Sequence, residues 1–283
     1  MSNDARGADP APRASRSHRT WRIARHVPGP TLAATYLSLL VLLPIAAVLS
    51  RAFSGGLSAF WSEITDAETL AALRLSLVTS LIVVVVNSVA GVAIAWQLVR
   101  DRFVLNRIIG ALVDLPFALP TVIAGLTLIT VYGPGSPIGE NFAFTRLAIV
   151  VALAFVTLPF SVRAVQPVLA ALDAETEEAA ASLGASGWTT FRRVILPSLM
   201  PAMLTGAGLG FARAIGEYGS VVLVSGNLPF RTEMASVRIF GLIESDNLPS
   251  AAAVAFVLFF TALIVLTIFG IAKRYYIRGD AQR

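Results

Sequence analysis

Residues 177–197 read EEAAASLGASGWTTFRRVILP, a polar interlude between long apolar runs. Upstream, Leu172–Leu183 is rich in Ala, Glu and Leu, all good helix formers. Asp173 stands where it can cap that helix, and Glu175 and Glu177 fall in the first turns, where the helix dipole favours acids. Gly184 and Gly187 are expected to break the helix with a tight turn. Ser186 then caps a second short helix, Trp188–Ile195, which Pro197 closes off before the next apolar run. The prediction is a compact helix–turn–helix with Trp188, Phe191 and Ile195 on one apolar side and Arg192 and Arg193 alongside. The residues alone leave two readings open. Such an element can rest on lipid headgroups, or it can fill a groove on another protein.

The surroundings of this stretch identify its solvent. The 283 residues are 56% hydrophobic and 14% charged, with a mean hydropathy of +0.75. Soluble domains carry about 25% charged residues, so a chain this apolar needs lipid around it. It reads as an all-α polytopic membrane protein. There is no cysteine, which removes disulfides, thiolate metal sites and cysteine nucleophiles. Both histidines, His18 and His26, lie in the polar N-terminal region, which argues against Ser–His chemistry and histidine-bound metals within the membrane. Lys273 is the sole lysine and no Gly-x4-Gly-Lys-Ser/Thr pattern precedes it, so the chain has no loop of that kind for ATP phosphates.

Six apolar runs are long enough to cross a bilayer. They cover residues 31–50, 75–99, 108–132, 147–169, 199–224 and 251–272. The run at 147–162 is short and reaches spanning length only by continuing past Arg163 towards Leu169. Residues 1–30 read as a disordered basic tail, with the first run a retained span rather than a cleaved signal. The membrane-spanning domain then covers 31–275, with residues 172–197 as a loop and 276–283 as a second tail. Arginine and lysine decide the orientation: sixteen fall on the side of the termini and of residues 163–197, five on the other. Both termini and the polar stretch are therefore expected in the cytoplasm. The same distribution makes the net charge of +5 a topology signal, with no nucleic-acid partner expected.

Glu178-Ala179-Ala180, three residues, Gly184, nine residues, then Val194-x-Leu196-Pro197 resembles the EAA motif of ATP-binding-cassette (ABC) importer permeases. The one departure is valine in place of isoleucine. Residues 114–125, DLPFALPTVIAG, resemble the third-span signature of the sulfate/thiosulfate and molybdate permeases. Residues 209–219, LGFARAIGEYG, resemble their fifth span, and residues 226–232, GNLPFRT, the external segment after it. Within that family the likeness is greatest to the T-type sulfate/thiosulfate subunit. The resemblance implies a type I ABC importer permease fold and a non-catalytic role in moving sulfate or thiosulfate, or alternatively molybdate or tungstate. It implies no cofactor in this chain, ATP and Mg being bound by a partner ATPase. The implied partners are a W-type second permease, two ATPase subunits and an extracytoplasmic binding protein. Glu178, Ala179, Ala180, Gly184, Trp188, Phe191, Arg192, Leu196 and Pro197 become the expected ATPase-coupling residues.

The intramembrane polar residues are candidates for the translocation path: Asp114, Pro116, Pro120, Thr121, Arg213, Glu217 and Ser220. Arg213 and Glu217 are four apart and can pair on one helix face, and an arginine at a helix centre, costing about 3 kcal/mol, normally faces the bundle interior or water. Arg213 can attract a divalent oxyanion, or the pair can be a structural lock. Asp114 can cap a helix segment starting near Leu115, since Pro116 and Pro120 break the third span. Thr127 and Thr130 join Thr121 and Ser220 as possible hydrogen-bond donors. Gly206, Gly208 and Gly210 permit close helix contact. Arg231, Glu233, Arg238, Glu244 and Asp246, in the loop region 225–250, are candidates for contact with the binding protein. An ion-coupled secondary transporter, with Asp114 or Glu217 carrying protons, leaves the EAA-like stretch unexplained. An intramembrane enzyme lacks a nucleophile–base pair or a second intramembrane aspartate.

Overall fold

A computed structural model describes residues 28–101 and 104–280. Every regular element among these residues is helical. The chain divides into two units, Met1–Ile45 and Ala46–Arg283. The described part of the first belongs to α1 (Pro28–Ala52), whose side chains from Leu32 to Leu43 are exposed and apolar on all faces. A helix hydrophobic all round is one made for lipid or for burial against a partner. The remainder of the tail assigned to residues 1–30 lies outside the described residues.

The second unit is built on three helices in mutual contact: α3 (Ala67–Arg100), α6 (Arg146–Ala171) and α9 (Leu196–Ile215). α12 (Leu248–Asp280) packs on α9, and the short α2 (Gly56–Ile64) on α12. Apolar burial gives little drive between helices in lipid, so close packing and interhelical hydrogen bonds hold them. The sequence supplies both. Asn87 on α3 donates to Ala154 O and Thr157 Oγ1 on α6, each at 2.9 Å. Gly91 and Gly206 flank the same stretch of α6, where a Cβ would come within 2.7 Å and 3.0 Å of Ser161. Gly208 and Gly210 meet only ordinary contacts, so of the three glycines in α9 Gly206 alone is required by packing.

Two of the expected spans are not continuous. The run 108–132 forms α4 (Asn106–Ala118) and α5 (Thr121–Tyr132), bent by 117°. Pro120 lacks an N–H and pushes Leu119 out of the helical region, so both residues are extended. The run 199–224 stops at Ile215 and resumes as α10 (Gly219–Val224). The second pieces of these broken runs, α5 and α10, pack closely on one another. A Cβ on Gly125 of α5 would lie 2.6 Å from Ser220 O, and one on Gly219 of α10 would lie 2.2 Å from Thr121 Oγ1. Five helical segments are thus long and apolar enough to cross a membrane, or six with the bent pair counted once. The last runs from Leu248 to Asp280, so the helix continues through most of the segment read as a C-terminal tail.

Candidate functional site

The polar stretch lies at one end of the bundle, where α3 and α6 both finish. α7 (Ala174–Ser182) begins at Asp173, whose carboxylate accepts from Glu175 N at 3.2 Å. It ends in a Schellman arrangement: Gly184 N donates to Ala181 O at 2.9 Å and Ala185 N to Ala180 O at 3.0 Å. Gly184 has φ +81°, a conformation that costs an L-residue about 1–2 kcal/mol. Ser186 accepts from Thr189 N at 3.3 Å and opens α8 (Gly187–Thr190). Gly187 is an ordinary first helical residue, so one glycine makes the corner where two were expected.

The second helix does not stop at Pro197. α8 passes through a π-turn, Phe191–Ile195, directly into α9. Leu196 N reaches back five residues to Phe191 O, and Pro197, which needs no partner for an N–H, follows in the first turn of α9. Proline here starts a helix rather than closing one. The π-turn also splits the expected apolar side. Ile195 is buried and half-buried Phe191 packs with it against α3, whereas Trp188 stays 70% exposed. Leu196 and Pro197 are likewise half-buried in the bundle, and Ala180 is half-buried. Glu178, Ala179, Arg192, Arg193 and Leu183, the last 89% exposed, remain on the surface with Trp188.

A chain of contacts ties this hairpin to α3. Glu177 pairs with Arg100, the last residue of α3, whose guanidinium lies 5.8 Å from the ring of Trp96. Trp96 meets Phe191 edge-on at 5.8 Å, and Phe191 stacks on Trp188 at 5.6 Å. Both halves of the hairpin are therefore anchored to one helix end. The partnership of Arg100 and Glu177, 77 residues apart, had no signal in the local sequence.

The intramembrane charges are paired. Asp114 does not cap a helix; it lies within α4 and binds Arg163 of α6, with Nε 2.8 Å from Oδ1. Arg163 also donates to Gly110 O at 3.1 Å and to Gln166. A doubly bonded arginine meets the carboxylate better than backbone amides could, because the helix already uses those amides. Pro116, buried in the last turn of α4, and exposed Pro120 stand at the bend. Glu217 is 1% exposed, and its Oε1 accepts from Ser220 N at 3.0 Å and Ser220 Oγ at 3.1 Å, closing the start of α10. Its Oε2 sits 3.1 Å from Arg213 Nη2 without an aligned hydrogen bond, while Arg213 stays 41% exposed. Glu217 thus has a structural task, and Arg213 keeps part of its guanidinium open. Hydroxyl commitments narrow the donor set: Thr127 and Thr130 donate to Ile123 O and Leu126 O of their own helix, and Ser220 to Glu217. Among these four and among the described residues, only half-buried Thr121 donates to no protein group.

At the opposite end of the bundle, Arg238 of α11 (Ala235–Glu244) faces Glu68 at 2.8 Å, Asp66 at 3.0 Å, and Glu63 and Glu233 at 3.8 Å each. Its Nε donates to Thr69 Oγ1 at 2.8 Å. Burial, with the Glu68 charge beside it, raises the Glu233 carboxyl above the usual carboxylate range despite Arg238. Arg238 and Glu233 are turned inward and bind α11 to the start of α3, so they offer little to a docking partner. Arg231, Glu244 and Asp246 are exposed.

The described residues thus form a helical membrane bundle with broken third and fifth runs and a polar hairpin at one end. Residues 87–276 match the family described as binding-protein-dependent transport system inner membrane component, and the chain belongs to it. It is 45% identical over 247 residues to a Synechocystis sp. protein named sulfate transport system permease protein CysT, covering 85% of this chain and 86% of that one. The Escherichia coli protein of the same name is 39% identical, over 86% and 91% of the two chains. A Chlorokybus atmophyticus protein named probable sulfate transport system permease protein is 47% identical, over 85% and 86%. The fold matches a bacterial ABC transporter involved in alginate import, with TM-score 0.73 at 16% identity over 87% of this chain and 94% of that one. The fold class is that of ABC importer permeases, embedded in the cytoplasmic membrane by several spans.

Proposed function

We propose that this chain is a permease subunit of an ABC importer for sulfate or thiosulfate. The observation that carries the substrate is the 39–47% identity to proteins named sulfate permeases, which extends across the bundle rather than over one motif. The sixteen-to-five arginine and lysine asymmetry supports a cytoplasmic location for the hairpin end and both termini. With that orientation the exposed surface of Glu178, Leu183, Trp188 and Arg192 is the face offered to an ATPase, which supplies the ATP and Mg. Phe191, Leu196 and Pro197 act from behind it, by seating the hairpin on its own bundle. The expected assembly is this chain, a related W-type permease, two ATPases and an extracytoplasmic binding protein.

In this reading, ATPase closure displaces the hairpin, and the displacement reaches α3 through Arg100 and α9 through the π-turn. The α4–α5 bend and the α9–α10 break, with Thr121 and Arg213 beside them, line the path. Glu217 and Ser220 hold the break in shape, and Asp114 holds α4 to α6.

Uptake of labelled sulfate by the assembled importer, with thiosulfate, molybdate and tungstate as competitors, tests the reading. Sulfate uptake that requires ATP and is blocked best by thiosulfate is expected. Competition by molybdate at far lower concentration assigns the chain to molybdate instead, and uptake driven by an ion gradient without ATP removes the ABC mechanism.

A further inference from the structure

A cavity of about 620 Å³ opens between the starts of α3 and α6, at the end of the bundle opposite the hairpin. Its volume lies within the range of small-molecule sites. Two arginines line it, Arg74 on α3 and Arg146, the first residue of α6. Their electrostatic setting differs from that of the arginines within the bundle. Arg100, Arg163, Arg213 and Arg238 each face a carboxylate within 4 Å. Arg74 and Arg146 face none among the described residues. Arg146 is held by neutral groups only, the carbonyl oxygens of Arg231 at 2.9 Å and Phe230 at 3.5 Å. Those bonds orient its guanidinium without spending its charge.

The single acid in the wall is Glu233, which is already engaged at the edge of the Arg238 cluster. Its carboxylate lies 3.8 Å from Arg238, so its charge is shared with that guanidinium rather than spent on Arg74 or Arg146. The other walls are mostly apolar, including Leu75, Val78, Ile82 and Val150. Low-dielectric walls around like charges concentrate their field in the opening. Two guanidiniums in such a cleft suit a compact dianion, and guanidinium forks match oxyanion geometry. The cavity is much larger than one tetrahedral oxyanion, so it admits a partly hydrated ion. Binding of that kind attracts an anion without trapping it, which a conduction step needs.

We propose that Arg74 and Arg146 form an anion vestibule, the first place on the permease to receive the divalent oxyanion as the binding protein releases it. This rests on the importer reading above, which makes this end of the bundle extracytoplasmic.

The test uses the complete importer in proteoliposomes, with loaded binding protein at saturation and labelled sulfate uptake as readout. Arg74→Ala and Arg146→Ala are each expected to lower uptake turnover at least tenfold, while half-maximal binding-protein concentration for ATPase stimulation stays within twofold. Arg74→Lys and Arg146→Lys, which keep the charge, are expected to retain most of the uptake; a purely structural role would not be rescued this way. Alanine variants that take up sulfate like wild type overturn the vestibule and leave the importer reading intact. A second arm varies anionic lipid from none to about half of the vesicle. Wild-type uptake that collapses without anionic lipid, as in the alanine variants, assigns the cavity to a lipid headgroup and overturns the proposal. A wild-type importer that takes up none of sulfate, thiosulfate and molybdate fails the substrate reading and removes the vestibule with it.

Discussion

Gly184 is the corner on which the polar hairpin turns. Its φ of +81° closes α7, and nothing lies within 4 Å of where a Cβ would be. Substitution there therefore acts through backbone strain and the shape of the exposed corner, not through a clash. Gly184→Asp and Glu178→Lys are expected to leave membrane insertion unchanged and to reduce sulfate uptake and binding-protein-stimulated ATP hydrolysis to background; wild-type uptake in either variant sinks the coupling role. Glu233 gives a residue-scale prediction of another kind. Its folded carboxyl binds a proton more tightly than the unfolded one, so the folded state holds more protons between the ordinary carboxylate value and the raised one. Stability from this group is thus lost as pH rises through that window. Glu233→Gln removes the dependence, and its melting temperature relative to wild type is expected to climb as pH rises from the ordinary carboxylate value through the raised one. A difference that stays flat, or shrinks with pH, contradicts the burial of that carboxyl.

At the scale of elements, the hairpin shows what local chemistry discloses and what it hides. Asp173, Ser186 and Gly184 sit at caps and a corner because their side chains, or the lack of one, satisfy the nearest backbone amides and carbonyls. Such roles depend on a few neighbouring residues and can be read from them. The α4–α5 bend was visible as two prolines, but its 117° angle was not, because the direction of α5 is set by the packing of Gly125 and Gly219 across about 95 residues of chain. Arg100–Glu177 and Asp114–Arg163 were hidden for the same reason: helix periodicity says nothing of charges paired 77 and 49 residues apart. Pro197 was misread because a π-turn can hand one helix to the next without leaving the proline's neighbours unbonded. The hairpin–α3 contact makes its own prediction. Arg100→Ala is expected to keep ATP hydrolysis by the assembled importer within about threefold of wild type while lowering sulfate moved per ATP at least fivefold. Unchanged stoichiometry removes α3 from the transmission route.

For the whole molecule, composition and the recurrence of apolar runs made the class legible, since no soluble arrangement covers so much apolar surface. Family membership followed from motifs spread over most of the chain. Which end faces the cytoplasm rests on charge asymmetry, and the absence of cysteine from the sequence makes it directly measurable. Thr176→Cys on the hairpin and Ser245→Cys at the opposite end can each be introduced alone at exposed positions. In intact cells a membrane-impermeant thiol reagent is expected to label the second and not the first, and both after permeabilisation. The reverse pattern inverts the proposed orientation.

The unbroken passage from α8 through the π-turn into α9 has a mechanical consequence. Gly187–Ile215 is one rod of 29 residues, about 43 Å long at helical rise. Under the importer reading, a push on the hairpin therefore enters α9 directly, with no loop between them to absorb it.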